Sequence, residues 1–323
     1  MFRRRALVHA GLIAPLLGAS SGRAAPLEQP RLVYGFAAGS AGDLGVRRIA
    51  ERMGASSYAR SAPLVENRPG GGGRLAMDLV RQAPRDGSVL VFTPYACSAV
   101  YPHVYPQLGY DPTRDFAPVA LAAVMQHGLA VGPLVPAAVT DLRGFLAWAR
   151  ANPERAGFAS PGPGTTPHLV GALLGLVQGV ELRHQAGRGV ADVVAGTLAA
   201  VLAPVGDLLA AHRAGSLRLL AGTGRARQAF APELPTFAEQ GLGELTVEEW
   251  FGFFAPARTP AAVVQAANAA VNHALRDRGV IDALAGLGLL ARGSTIEEMA
   301  QSQRAELERW GPLVRRVGFT AQG

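Results

Sequence analysis

The chain has 323 residues, 49% of them apolar, with one cysteine and a formal net charge of +7. This is enough chain for one large or two medium domains with a sizeable core, and too apolar a composition for disorder. A single Cys97 excludes an internal disulfide and any Cys-based zinc or iron–sulfur site, and no basic run is interleaved with aromatics as a nucleic-acid partner would require.

The first 24 residues read as a signal peptide. Arg3, Arg4 and Arg5 form a basic start, Ala6 to Leu17 is a short apolar run, and Gly22-Arg23-Ala24 before Ala25 fits a small-residue cleavage site. The run is too short to span a bilayer. Sec and twin-arginine export are both open. The expected mature chain is periplasmic, and with 27 arginines against 24 acids its net charge falls to +3. There is no lysine; the basic residues are all arginine.

Arg31 to Phe36 reads as a short buried strand. Ala37 to Gly42 is a run of small residues whose backbone N–H groups no side chain shields. Asp43 is placed to cap a helix over Leu44–Met53. Strand, bare loop and helix N-terminus form a cradle for an anion. Pro63–Asn67 and Ser88–Thr93 are further strands, with a helical pattern over Arg74–Ala83 between them. Pro94–Asp115, rich in tyrosine and proline, reads as an ordered surface connection. Phe116–Val124 and Gly128–Val131 read as two more strands.

The alternation restarts after Gly132. Thr140-Asp141 caps a helix ending before Pro153, and Gly157–Ser160 is a strand. Pro161-Gly-Pro-Gly164 is a second bare loop, and Thr165-Thr-Pro167 opens a helix with proline in its first turn. Val180–Gln185, Leu198–Ala203 and Leu217–Gly222 are strands, with a helix over Pro204–Arg213. The tail has an aromatic strand over Val247–Ala255 and a helix from Thr259-Pro260 to Leu275. A short helix over Val280–Ala285 follows, and a capping-box pattern at Ser294-Thr-Ile-Glu297 opens the last helix. Alternating strands and helices argue an α/β fold with mainly parallel sheets in two lobes. Such sheets place ligands at the carboxyl ends of their strands, where both bare loops sit.

The candidate ligand-binding residues are therefore Ala38, Gly39, Ser40, Gly42 and Asp43 in the first loop, and Ser160, Gly162, Gly164, Thr165 and Thr166 in the second. His168 lies one turn further on, facing the cleft or serving structure; Tyr95 and Trp250 are pocket walls or core; Arg188 pairs with a second carboxylate or is solvated. Asp43 and Thr165 have a competing role as plain helix caps. An enzyme reading rests on Ala38-Gly-Ser-Ala-Gly42, which approaches a nucleophile elbow with Ser40 as nucleophile, but the only histidine after residue 212 is His273, inside a predicted helix. No histidine pair has metal spacing and no nucleotide loop is present, so neither a metal nor a cofactor is expected.

From about residue 27 to 320 the chain resembles the extracytoplasmic solute receptors of tripartite tricarboxylate transporters, the Bug family. The resemblance rests on ordered blocks: Glu66-Asn-Arg-Pro-Gly-Gly-Gly-Gly73, Ala83-Pro-Arg-Asp-Gly87, Leu108-Gly-Tyr-Asp-Pro112 with Asp115-Phe-Ala-Pro118, and Ala159-Ser-Pro-Gly-Pro-Gly-Thr-Thr-Pro-His168. Ala214-Gly-Ser-Leu-Arg218, Leu234-Pro-Thr-Phe-Ala-Glu-Gln-Gly241 and Trp250-Phe-Gly-Phe-Phe-Ala-Pro256 complete them. It implies a type II periplasmic binding protein, a Venus flytrap closing by a hinge. Lobe 1 would comprise residues 25–127 and 251–323, and lobe 2 residues 128–250. It also implies a monomer that takes a di- or tricarboxylate or similar organic acid, held mainly by backbone amides and hydroxyls, and serves integral-membrane permease subunits. A periplasmic ligand sensor is the alternative role. The chain departs from the family pattern where Ala37, Ala38 and Gly42 replace two prolines and a hydroxyl, and where Ala199 and Ala203 stand in place of two acids. Those departures imply an altered pocket.

Overall fold

The computed structural model describes residues 25–321. The expected signal peptide, residues 1–24, lies outside them. The chain opens with β1 (Arg31–Tyr34), α1 (Ala41–Met53), β2 (Leu64–Asn67), α2 (Arg74–Arg81) and β3 (Val89–Pro94). A π-helical turn (Ala96–Val100) and α3 (Tyr101–Val104) lead to β4 (Phe116–Val131). Then come α4 (Leu142–Ala151), β5 (Gly157–Ala159), α5 (Thr166–Gln178), β6 (Arg183–His184), α6 (Val190–Val194), β7 (Ala200–Pro204), α7 (Val205–Arg213) and β8 (Arg218–Gly222). The last part holds β9 (Glu248–Pro256), α8 (Ala261–Ala274), α9 (Arg278–Gly286), β10 (Leu289–Ala291) and α10 (Ile296–Val317).

The strands form one hydrogen-bonded path in the order β2-β1-β3-β9-β4-β7-β5-β6, with β8 and β10 also paired to β4. The parallel pairings expected from the alternation occupy the two flanks: β1 with β2 and β3, and β5 with β6 and β7. The centre is antiparallel, so the sheet is mixed instead of mainly parallel. The reason is that β4 and β9 run past each other, from Phe116↔Pro256 to Gln126↔Glu248, each carrying the chain between the two halves of the molecule.

The two strands expected over 116–131 are a single strand of 16 residues. The polar pair Gln126-His127 interrupts the apolar run and looks like a break. Instead β4 changes partners there: up to Gln126 it pairs with β9, and from His127 on it pairs with β7 and β8. Both polar side chains are buried and bonded, Gln126 Oε1 accepting from Gly224 N at 3.0 Å.

Helices cover both faces. On one, Val46, Ile49 and Met53 of α1 pack with Val271 of α8 and Leu284 of α9 against Leu32, Phe92 and Phe253. On the other, a core runs without a break from Met77 and Tyr101 through Trp250 and Trp310 to Phe145 and Phe158. Burial of these side chains from water is the main term holding the fold together, at about 25 cal/mol per Å² of apolar surface. A third cluster, with Val201, Leu208 and Leu219, backs α7.

Several local expectations shift. Pro94–Asp115 is not a surface connection at its start: Tyr95 and Tyr101 are buried, as is Tyr110, whose hydroxyl donates to Cys97 O at 2.7 Å. Burial pushes the Cys97 thiol up to about 12, which suits a core residue and not a nucleophile. The strand expected over 180–185 is only Arg183–His184. The last helix is boxed by Thr295 and Glu298, one residue later than expected, because Ser294 Oγ is taken by Leu121 N at 3.0 Å.

Candidate functional site

A cavity of about 870 Å³ opens between the half of the sheet that pairs with β9 and the half that pairs with β7. Both bare loops reach it. Ala38, Gly39 and Ser40 line it from the first, and Ser160, Gly162 and Thr165 from the second; Arg188 lines it too.

In the first loop the helix begins earlier than expected. Ser40, not Asp43, is the N-cap of α1, and its Oγ accepts from Asp43 N at 3.4 Å. Gly39 has φ +82°, a left-handed turn that glycine adopts without strain, and the space beyond its Cα is open. Asp43 points inward, 2% exposed, and does not line the cavity. Its carboxylate accepts from Gly39 N (2.8 Å), Asn67 Nδ2 (2.9 Å) and Arg47 Nε (3.0 Å). Burial alone would raise its pKa; these hydrogen bonds outweigh burial and hold it below the ordinary value. Gly42 also lies off the cavity. A Cβ there would stand 2.9 Å from the Phe251 ring and closer still to Tyr34, so the glycine exists to let these aromatics approach α1.

In the second loop Thr165 is the N-cap of α5, but its Oγ1 donates to Gly162 O at 2.7 Å instead of capping. Thr165 N donates to Gly162 O at 3.3 Å and Pro167 has no N–H, so the α5 opening offers few free amides of its own. Ser160 Oγ lies 2.8 Å from His184 Nε2. Gly164 and Thr166 do not line the cavity. Gly164, at φ +77°, packs against Val104 and Tyr105, with Val104 only 2.6 Å from where its Cβ would be. Thr166 is fully buried. His168 is structural: its Nδ1 accepts from Gly164 N at 2.9 Å, and its ring lies 4.0 Å from His184 and 4.4 Å from Phe319. Burial, aided by His184, lowers its pKa to about 3. Tyr95 and Trp250 stack edge to face at 5.5 Å in the core and form no wall of the cavity. Arg188 pairs with Asp192 at 2.8 Å and donates to Thr197 at 2.6 Å, so part of its guanidinium is already engaged.

Four features of the site were not anticipated. The aromatic wall is Tyr34, Phe36 and Phe251. His127 and Glu249, 1% and 2% exposed, meet at 2.8 Å on the cavity floor. Glu249 Oε1 also accepts from Ala96 N at 3.0 Å. Asp207, in the first turn of α7, also lines the cavity and accepts from Ala41 N at 2.8 Å. Burial raises its pKa above the ordinary carboxyl value. The available signals were a histidine and a glutamate inside strands of apolar character, and an acid four residues beyond Ala203, which itself lines the cavity.

Nucleophilic chemistry at Ser40 has no support. Its hydroxyl donates to Ala37 O at 2.9 Å, and His273 lies exposed on α8.

The model of the tripartite tricarboxylate transporter family receptor matches residues 46–319. A protein from the tcbD–tcbE intergenic region of a Pseudomonas species is 37% identical over 289 residues, covering 87% of this chain and 84% of that one. A Rhodopseudomonas palustris protein solved with adipate superposes with a TM-score of 0.85 at 29% identity, over 91% of this chain and 99% of its own. MatC of the same organism, solved with malate, gives 0.80 at 27%, over 90% and 99%.

Proposed function

Because this chain belongs to the tripartite tricarboxylate transporter receptor family, whose members are solute-binding receptors and not enzymes, we propose that it captures a small organic carboxylate in the periplasm and delivers it to a membrane permease. The observation that carries this reading is that Ser40 and Thr165, 125 positions apart in the sequence, line one cavity at the N-termini of two helices. Helix N-termini favour anions through free amides and the helix dipole; at α1, Gly39 N and Ala41 N are held by Asp43 and Asp207, so the carboxylate's place is on the α5 side. The carboxylates in the two R. palustris structures support the ligand class.

Lobe 1 is residues 25–127 and 251–323, and lobe 2 is residues 128–250. The change of partner along β4 after Gln126 supports a boundary there. The ligand draws the lobes together by contacting both. The receptor acts as a monomer, and residues 1–24 direct its export.

The test is a thermal-shift screen of carboxylates on residues 25–323, followed by Gly162→Asp. A bound carboxylate raises the unfolding midpoint, since it binds only the folded state. A Cβ on Gly162 meets Thr165 Cγ2 at 3.7 Å and Gly72 Cα at 3.8 Å, ordinary contacts, so the aspartate fits, while its charge meets an anion held beside α5. The expected outcome is loss of the ligand-induced shift with a folded protein. Wild-type shifts in Gly162→Asp, or no shift with any carboxylate, would overturn the proposal.

A further inference from the structure

Two backbone amides that border the cavity are already occupied by the protein's own acids. Ala41 N, at the start of α1, donates to Asp207 from 166 residues away. Ala96 N, at the start of the π-helical turn, donates to Glu249 from 153 residues away. Asp207, Glu249, Ala41 and Ala96 all line the cavity. These two amides are thus taken, and two carboxyl groups face the same space; Arg213, further along α7, also lines the cavity but donates to Phe230 O at 3.4 Å. Asp207 Oδ2 accepts no hydrogen bond among the described residues, and His127 Nδ1, buried beside it on the floor, has no partner either.

The side of the cavity beyond β5 and β6 in the strand order has the reverse character. Arg188, after β6, lines the cavity there, with Ser160 and the Thr165 N-cap of α5. Between the ends, Tyr34, Phe36 and Phe251 present apolar surface.

We propose that the Asp207–Glu249 end is a donor-recognising subsite, and that the ligand is a monocarboxylate whose apolar body ends in a hydroxyl or amino group, not a dicarboxylate. This rests on the carboxylate reading above. The acid end lies at α5 and Arg188. The donor end gives its hydrogen to Asp207 Oδ2. A second carboxylate at that end meets two acids with no amide left to receive it, and like charges brought together at a site shielded from water repel strongly. Asp207 is the specificity-determining residue. It lies four residues beyond Ala203 of β7, where this chain carries no acid.

A matched six-carbon series tests this: hexanoate, 6-hydroxyhexanoate, 6-aminohexanoate and adipate, each titrated calorimetrically at pH 8 into the wild type and Asp207→Asn. Asparagine keeps the acceptor for Ala41 N, so the contact across the cavity survives. The wild type is expected to bind 6-hydroxyhexanoate or 6-aminohexanoate at least tenfold tighter than adipate. Asp207→Asn is expected to gain adipate affinity at least tenfold and to lose its preference for the amine. Adipate bound as tightly as the hydroxy and amino acids by the wild type, with the ratio unchanged in Asp207→Asn, would overturn the subsite while leaving the carboxylate reading intact. Binding of none of the four by either protein would overturn both.

Discussion

Gly206 offers a test of closure at the contact between α7 and the end of α9. It is the second residue of α7, and α7 faces the turn that ends α9. A Cβ on Gly206 would stand 2.9 Å from the carbonyl carbon of Leu287, closer still to its oxygen, and 3.1 Å from Ala41 Cβ. Leu287 is met through its backbone, so no rotamer change relieves the clash. Carbon atoms rest about 3.5–4.0 Å apart, so α7 must retreat by about 1 Å. That retreat breaks the 2.8 Å contact from Ala41 N to Asp207. A hydrogen bond to a charged group contributes ~1.5–3 kcal/mol. Gly206→Ala should therefore deplete the closed form by roughly 10- to 150-fold. Ligand affinity falls by the same factor, because the competent fraction scales the apparent constant. Neither lobe's core is disturbed, so the loss in unfolding free energy cannot exceed the same ~1.5–3 kcal/mol. Calorimetry with the best-binding acid reads the affinity, and small-angle scattering reads the wider separation of the lobes. Unchanged affinity with an unchanged scattering profile would show that α7 and α9 do not meet across a closing cleft.

Two further outcomes concern the buried polar groups. Glu249→Ala leaves Ala96 N and the His127 imidazole without their acceptor in the core, and should cost about 3–5 kcal/mol in urea unfolding. Glu249→Gln keeps the acceptor and should recover more than half; an alanine variant within about 1 kcal/mol of wild type would refute the pairing. His168 and His184 are held at about 3 and about 4, His168 by burial and its histidine neighbour and His184 by burial, against 6.5 for a free imidazole. Below pH 6.5 the unfolded chain takes up protons that the native state refuses, so this stability is complete above 6.5 and lost as pH falls toward 4. His168→Gln, which retains an acceptor for Gly164 N, should make the decline shallower between pH 7 and 5; an equally steep decline would count against the assignment.

The sequence carried the α/β class and the two glycine loops because both depend on local chemistry: apolar runs, small residues and helix openings. It misled where one side chain serves two readings. Asp43 has the look of a cap and of a ligand contact, yet it is third in the helix, since Ser40 takes the cap and Arg47 and Asn67 reward an inward carboxylate. Gly164 has the look of an open cradle, but Val104 fills the space beside it. Tyr95 has the look of a pocket wall, but Trp250 and Trp310 claim both sides of its ring. The Asp207 and Glu249 contacts were illegible for a different reason. Each joins groups more than 150 positions apart, and only the sheet order brings them together.

The antiparallel ladder of β4 and β9 has a mechanical consequence. The two strands are bonded to each other from Phe116↔Pro256 to Gln126↔Glu248 and then part company, and β4 takes up new neighbours. Such a two-ply strap resists stretching and sliding, because either would break several backbone bonds together, but it yields readily to twist. Opening should therefore be a rotation of one half against the other about the end of the strap, springing back without any refolding.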